Sequence, residues 1–417
     1  MPRSHAYPPD LAHYVEANWP AAQVLPLSSE LFEEALSIAF QSSLTLEEAR
    51  PTRFRLLLTS PEALPAAGVP KAGVLRLRFD EPRALTADEL RRLAPAVPFE
   101  TALIAAYPLQ GKLRIWGVAH SGPAWLAPTW GGRNVVPNWT YDPIVHVTGP
   151  GHVAVRCAGK LIGAIERGQV VDATLDVFDS QWLRGMFVRE REAIREAHDE
   201  SQRGAAVPTT VEPSLVGMIA QQMLRRAIQL VRGAHHGGLL LVLNQQGDER
   251  PRGLRLKYAL SHDEPSRRYR TLILRLLEAV ARSSSKPSVG WDDFVSDQSS
   301  ELAALEQEVF ELSRVLANLT AIDGALVLDK RFSVIGFGAE VSAELPTPER
   351  VYRALDTEAE QLNPESIENV GTRHRAAYRF VNDHPDGLAV VVSQDGAVSF
   401  VANRDGKVVF WEQSVSP

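Results

Sequence analysis

Two apolar runs of strand length, with a glycine-initiated basic segment between them, constrain this chain more than any other feature. The first run, Ala325-Leu326-Val327-Leu328, follows Ile322-Asp323-Gly324. The second, residues 388–392, leads into Ser393-Gln394-Asp395-Gly396. Between them lies Gly371-Thr372-Arg373-His374-Arg375-Ala376-Ala377. Asp323 closes a helical run and opens a strand, where a carboxylate can hold a divalent cation or a sugar hydroxyl at a strand edge. Thr372 to Arg375 stand at a glycine turn before a helix-compatible Ala-Ala-Tyr-Arg-Phe. Cationic and donor side chains there add to the dipole and free amides of a helix N-terminus, which makes a phosphate cradle. Taken singly, the same residues are an aspartate turn and a solvated basic helix start; their order is what that plainer reading leaves unexplained.

A chain of 417 residues exceeds one ordinary core, so two domains are expected. Hydrophobic content of 45% and charged content of 23% describe an ordinary globular protein. The net charge of -7 argues against broad electrostatic binding of nucleic acid, while leaving room for local basic clusters. Cys157 is the single cysteine; it excludes an internal disulfide and a thiolate metal cluster, and its apolar neighbours predict a buried small residue. Residues 1–10 have no apolar core, and runs such as 239–243 fall far short of the roughly 20 residues that span a bilayer. The expectation is a soluble cytoplasmic protein with neither membrane nor nucleic acid as partner.

Along the first half, residues 31–40 carry apolar positions at helical spacing, and residues 54–59, 73–79 and 113–119 read as strands. Thr86-Ala87-Asp88-Glu89 is a capping-box start for a short helix. Residues 144–155 form two alternating strands around Gly149-Pro150-Gly151, and shorter strands follow at 161–165 and 169–171. His146 and His152 could be pictured as a metal pair, but no third ligand accompanies them and a structural role is favoured. Residues 179–203 turn to a charged helix with opposite charges at three and four spacing, and residues 204–210 read as a linker. The boundary is placed there, giving domains 1–205 and 206–417.

In the second half an amphipathic helix after Pro213 ends at Gly233, and His235-His236-Gly237-Gly238 leads into the strand 239–243. The glycine pair permits a tight turn; a ligand role for either histidine is the lesser reading. Residues 244–264 are polar and turn-rich, 269–281 are another apolar-periodic segment with basic positions, and 302–319 make a long amphipathic helix up to Asp323. Residues 329–332 form a turn between strands, with 333–337 the second of them. Residues 339–346 read as irregular and 348–356 as helical, and residues 397–411 are a β-hairpin turning at 403–406.

Asp323-Gly324-Ala325 and the later Gly371-Thr372-Arg373-His374-Arg375-Ala376-Ala377 resemble, intact and in this order, the two signatures of the diadenylate cyclase (DAC, DisA-N-type) domain. The resemblance covers about half the chain, from near Ser214. It implies an α/β (α+β) protein: a DAC-type domain with a central mixed β-sheet flanked by helices, preceded by a separate mixed α/β sensor-like domain. Compared with compact members, residues 244–300 read as an insertion. The residues around Gly149-Pro150-Gly151-His152, with Trp182-Leu183 later, resemble a DACNV-like sensor domain found ahead of some DAC domains, which names no signal or ligand.

The resemblance implies that two ATP molecules condense into cyclic di-AMP with release of two pyrophosphates, using Mn2+ or Mg2+. Asp323 would contact metal and the 3′-hydroxyl, Gly324 would let backbone approach the ligand, and Ala325 would leave room for it. Gly371, Thr372, Arg373, His374 and Arg375 would hold phosphate oxygens, the arginines in two-toothed fashion, and Ser393 would lie near the triphosphate. A homodimer or higher oligomer is implied, because two ATP molecules must meet head to tail. Where the family commonly has Ser-Glu-Glu-Thr-Gly, this chain has Ser393-Gln394-Asp395-Gly396, so Asp395 stands as a shorter candidate metal ligand and Gln394 lacks the charge. The same four residues have a plain reading as a hairpin turn. Two further functions stay open: an adenine-nucleotide-binding module with little or no turnover, and a related nucleotidyltransferase with a different product.

Overall fold

The structure, a computed structural model, describes residues 5–64, 74–99, 101–121, 132–133, 141–166, 168–172, 175–204, 208–244, 251–260, 264–297, 299–368 and 370–413. The chain divides into two compact units, one of residues up to 173 apart from 130–133, the other of 130–133 and residues 174–415.

In the first unit, α1 (Pro8–Ala17) and α2 (Ser29–Ser43) precede a two-residue ladder of β1 (Leu46–Glu47) and β2 (Arg50–Pro51). The main sheet is built from β3 (Phe54–Leu58), β4 (Leu75–Ala84), β5 (Ala102–Leu109), β6 (Lys112–His120), β7 (Ile144–Gly149), β8 (His152–Cys157), β9 (Lys160–Glu166) and β10 (Gln169–Asp172). Its order is β10-β9-β8-β7-β3-β5-β6-β4, with β3 and β5 the parallel pair. The expected helix α3 (Ala87–Leu93) is present, and the Thr86 hydroxyl accepts the Glu89 N–H at 3.2 Å as an N-cap should. β5 was not foreseen. It lies beside β3 in the middle of the sheet, and its run Ala102 to Ala106 is wholly buried. The apolar stripe of α2, Phe32, Ala35, Leu36 and Ala39, seals one face of this sheet. Cys157 is buried, as expected. His146 is buried edge-on against Phe99, with ring centroids 5.6 Å apart, whereas His152 is exposed.

The second unit begins with α4 (Gln181–Met186) and α5 (Val188–Ser201), then β11 (Thr210–Val211) and α6 (Pro213–Gly233). After β12 (Gly238–Leu243) come β13 (Leu254–Ala259), α7 (Glu264–Ser283), β14 (Ser288–Val289), which pairs β11 in parallel, α8 (Trp291–Ser296) and α9 (Ser300–Leu319). The remainder is β15 (Ala325–Asp329), β16 (Val334–Val341), β17 (Val351–Ala354), β18 (Leu362–Glu365), α10 (Thr372–Asp383), β19 (Leu388–Val392), β20 (Val398–Arg404) and β21 (Lys407–Gln413). Nine of these strands form a mixed sheet of order β13-β16-β15-β12-β19-β20-β21-β17-β18. Side chains alternate across each strand. Leu240, Val242, Leu326, Leu328, Val390 and Phe400 therefore meet the helices α4 to α9, while Leu239, Leu241, Val327, Val391 and Phe410 meet α10. This is the expected central mixed sheet flanked by helices.

Four sequence expectations change. Residues 175–204 pack with the second unit rather than ending the first, because Phe178, Trp182, Leu183 and Ile194 are buried in its core. Trp182, read as a landmark of the N-terminal domain, stacks on Trp411 at 4.3 Å, and both indoles donate to the Thr357 carbonyl at 2.9 and 3.1 Å. The described part of residues 244–300, read as an insertion, contributes to the sheet and core of the unit. β13 is an edge of the sheet, and Leu272, Ile273, Leu276, Leu277 and Val280 of α7 belong to the core. Residues 339–341 continue β16, and the segment read as a helix at 348–356 contains β17, which pairs β21 in parallel. The final hairpin is as expected, with Asp405 and Gly406 at φ +51° and +79° in its turn.

Candidate functional site

Register alone brings the motif residues to one end of the nine-stranded sheet. β12 and β15 run parallel with Leu240 opposite Leu326, so Gly238 and Gly324 stand level at the starts of their strands. β19 is antiparallel to β12 with Val392 opposite Gly238, which puts Ser393 and the turn after it at the same end. Val398 of β20 faces Val392, and Gln413 of β21 faces Val398. The N-terminus of α10 reaches this end too, because an Arg373 Nη2–H donates to the His236 carbonyl at 3.0 Å, just ahead of β12.

Asp323 is exposed, and its carboxylate accepts no hydrogen bond among the described residues. Gly324 has φ +117°, and a Cβ there would lie 2.5 Å from the Gly338 carbonyl carbon and 2.8 Å from Ala339 N and O. Only glycine fits, and the reason is the approach of β16 backbone. Ala325 is 1% exposed and lies in the core under α10, so its small side chain serves packing at that point rather than opening the surface.

Gly371 is the N-cap of α10; no side chain caps the helix, and a Cβ at Gly371 would meet nothing within 4 Å. The first-turn amides thus have no side-chain cap among the described residues, the arrangement that takes anions. Thr372 and Arg375 are exposed. Arg375 has no side-chain partner among the described residues, and Arg373 uses one guanidinium N–H on His236. Both arginines therefore keep donors for an incoming phosphate. Arg373 also braces the turn ahead of β12: its Nη1 lies 2.7 Å from where a Gly237 Cβ would be, and Gly237 sits at φ +66°.

His374 differs from its basic neighbours. It is half-buried, with Nε2 3.4 Å from the Ser399 hydroxyl. Burial lowers its pKa below the ordinary histidine value, against the opposing pull of the Glu412 and Asp395 carboxylates. At neutral pH it is an uncharged imidazole that positions hydrogen bonds, not a third cation. Because the folded pKa is depressed, the unfolded chain takes up the proton more readily, so folding stability is full above the ordinary histidine value and declines as pH falls through it. The midpoint of thermal unfolding should therefore fall between about pH 7.5 and about pH 5.5, either side of that value. His374→Gln should make the fall shallower, and equal slopes in the two proteins would remove this role.

Ser393 is half-buried and opens the turn: its N–H donates to Ala397 O at 2.8 Å and its carbonyl accepts Gly396 N–H at 3.0 Å. Asp395 accepts the Ala397 N–H at 3.2 Å, and Gly396 has φ +87°, so the hairpin-turn reading of residues 393–396 holds. Among the described residues no three histidine, cysteine, aspartate or glutamate side chains gather to hold a metal. An ion that arrives on ATP phosphates needs only one or two protein carboxylates, and exposed Asp323 suits that demand.

Sequence reading missed Arg232, whose Nε donates to Gly396 O at 2.8 Å and ties the end of α6 to the turn. It also missed the His236 carbonyl and Ser399. Arg232 was findable as the last basic residue before the His-His-Gly-Gly turn; a backbone carbonyl and a strand serine carry no signal.

Known proteins bear on the other unit. Residues 21–120 match the family described as "Probable sensor domain DACNV". That is where the chain's first-half assignment rests. The DACNV match starts between α1 and α2, runs through β6 and ends ahead of Gly149-Pro150-Gly151-His152 and Trp182, the residues that carry the resemblance. No curated protein matches the chain. A solved structure described as a hypothetical membrane spanning protein from Bacillus cereus is 16% identical, covering 56% of this chain and 100% of its own, with a TM-score of 0.25. So low a score carries no argument about fold. No described helix of this chain is long and apolar enough to cross a membrane.

Proposed function

We propose that the second unit is a diadenylate cyclase and that the DACNV-matched segment regulates it in response to a signal. The observation that carries the reading is the gathering, at one sheet end, of an unpartnered carboxylate (Asp323), an uncapped helix N-terminus (Gly371 to His374) and two guanidinium groups with donors to spare (Arg373 and Arg375). ATP supplies the complement to each: hydroxyls for the carboxylate and phosphates for the amides and arginines.

In the reaction, the 3′-oxygen of one ATP bonds to the α-phosphorus of the other. The bond from that phosphorus to the bridging oxygen breaks, pyrophosphate leaves with its electron pair, and the proton of the attacking hydroxyl passes to water. A second, reciprocal step closes the ring. Asp323 accepts the hydrogen bond of the attacking 3′-hydroxyl and orients its oxygen. Arg373, Arg375 and the α10 amides hold the triphosphate and gather the charge that builds on it. A divalent ion, Mn2+ or Mg2+, would neutralise phosphate charge when bound with ATP beside Asp323. One chain offers one such sheet end, so two copies must face each other.

The test is incubation of the full chain with ATP and manganese, with products read by mass spectrometry. Cyclic di-AMP is the expected product. A different dinucleotide would make the unit a related nucleotidyltransferase, and ATP binding without product would make it a receptor. The use of Asp395 as a turn acceptor favours the receptor over the transferase as second reading.

A further inference from the structure

The second unit also encloses a cavity of about 200 Å³, built from α4, α5, the first half of α6, α7 and the turn between β15 and β16. That turn follows the C-terminal end of β15, so the cavity lies at the opposite end of the strand from Asp323. Two features set it apart from a packing gap.

The first is its aromatic wall. Phe332 stacks on Phe187 at 5.9 Å with planes 5° apart, and Tyr269 leans on Phe332 at 5.0 Å. Phe332 is held at φ +60°, a conformation an aromatic residue adopts only when its surroundings impose it. Phe178, Leu183, Ile194, Val216, Ala220 and Leu224 complete the apolar lining.

The second feature is charge. Arg184, Arg191, Arg267, Arg270, Lys330 and Arg331 line the cavity against a single carboxylate, Glu190, which is already paired with Arg331 at 3.1 Å. Arg191 is set into place. It donates to the Arg184 carbonyl at 2.7 Å, and its Nη1 lies 2.7 Å from where a Cβ of Gly217 would be. A glycine inside α6 weakens the helix, and here it makes the space the guanidinium occupies. Burial lowers the pKa of both Arg191 and Lys330, so their charges lie partly stripped of water.

We propose that this cavity binds a small molecule with a flat aromatic body and one anionic group, carboxylate or phosphate. The ring lies against Phe187 and Phe332, and the anion takes the donors of Arg191 and Lys330. Water is displaced from apolar wall, and two partly desolvated cations gain a counter-charge beyond those of Asp386, Glu190 and Glu192 nearby. The site is separate from the α10 end and stands whether or not the unit turns over ATP.

The test is calorimetric titration of the full chain with 2-naphthoate, 2-naphthyl phosphate, naphthalene-2-carboxamide and inorganic phosphate. At least one aromatic anion should bind at least about tenfold tighter than the neutral amide and than inorganic phosphate, a difference of about 1.4 kcal/mol. The ratio of the two aromatic anions identifies the preferred head group. Arg191→Gln with Lys330→Gln should remove that preference while Arg375→Ala leaves it intact. Ala220→Phe, which fills the cavity, should abolish binding of every aromatic probe. Equal binding of acid and amide would mean a plain apolar void, and equal binding of inorganic phosphate would mean surface charge alone. Affinity unmoved by the Arg191 and Lys330 changes would place the ligand elsewhere. Any of these three overturns the proposal, and circular dichroism of each variant confirms that the fold is kept.

Discussion

Asp323→Asn should lower cyclic dinucleotide formation by a factor on the order of 100 to 1,000, the usual consequence of deleting one preorganised transition-state contact. Its effect on folding should be small, within about 0.5 kcal/mol, as for other exposed positions with no structural partner. The carboxylate accepts no hydrogen bond among the described residues and lies outside the core, so the amide replaces it without disturbing packing. Only its charge and its acceptor strength toward a hydroxyl are lost. ATP binding, proposed to draw on Arg373, Arg375 and the α10 amides, should persist. Single-turnover product formation beside an ATP-binding isotherm separates the two effects. Wild-type turnover in the variant would end the proposed role of Asp323 and leave the cyclase reading to the product assay.

Trp182→Ala should destabilise the second unit by about 3–5 kcal/mol, the range for truncating a buried tryptophan. The change unstacks Trp411 and removes one of the two indole donors on the Thr357 carbonyl. Urea unfolding followed by near-ultraviolet circular dichroism reports it directly, since both indoles contribute there. A fragment beginning at residue 206 should be worse still, because it also loses the burial of Phe178, Leu183 and Ile194. One beginning at 175 keeps all of them. A loss below about 1 kcal/mol in the full chain would show that residues 175–204 are peripheral to this core.

Periodicity served where an element has one polar and one apolar side. α2, α6 and α9 were legible on that basis, as were the β7–β8 turn and the final hairpin. β13 was hidden because it is an edge strand, mostly exposed, and so lacks an apolar run. β17 is four residues long, and its parallel pairing with β21 overrides a local sequence that tolerates a helix. α5 looked solvated because its charges dominate its composition, while a few apolar contacts, Ile194 above all, decide where it packs. At the site the residue types were legible and their convergence was not. Asp323, Arg373 and Ser393 are far apart in sequence, and only the register of β12 with β15 and β19 places them together. The neutral state of His374 follows from burial, which no sequence spacing shows.

β12 sits between β15 on one side and β19 on the other, and those partners are separated by some sixty residues of chain. A nascent chain halted at residue 385 would already carry Asp323 and the whole of α10, yet would have nothing to pair the second edge of β12. Arg373 would lack the Val392 side of its turn, and the loop around Ser393 would not exist. Synthesis from the N-terminus, together with pairing that is long-range in sequence, makes this sheet end the last part of the unit to be completed.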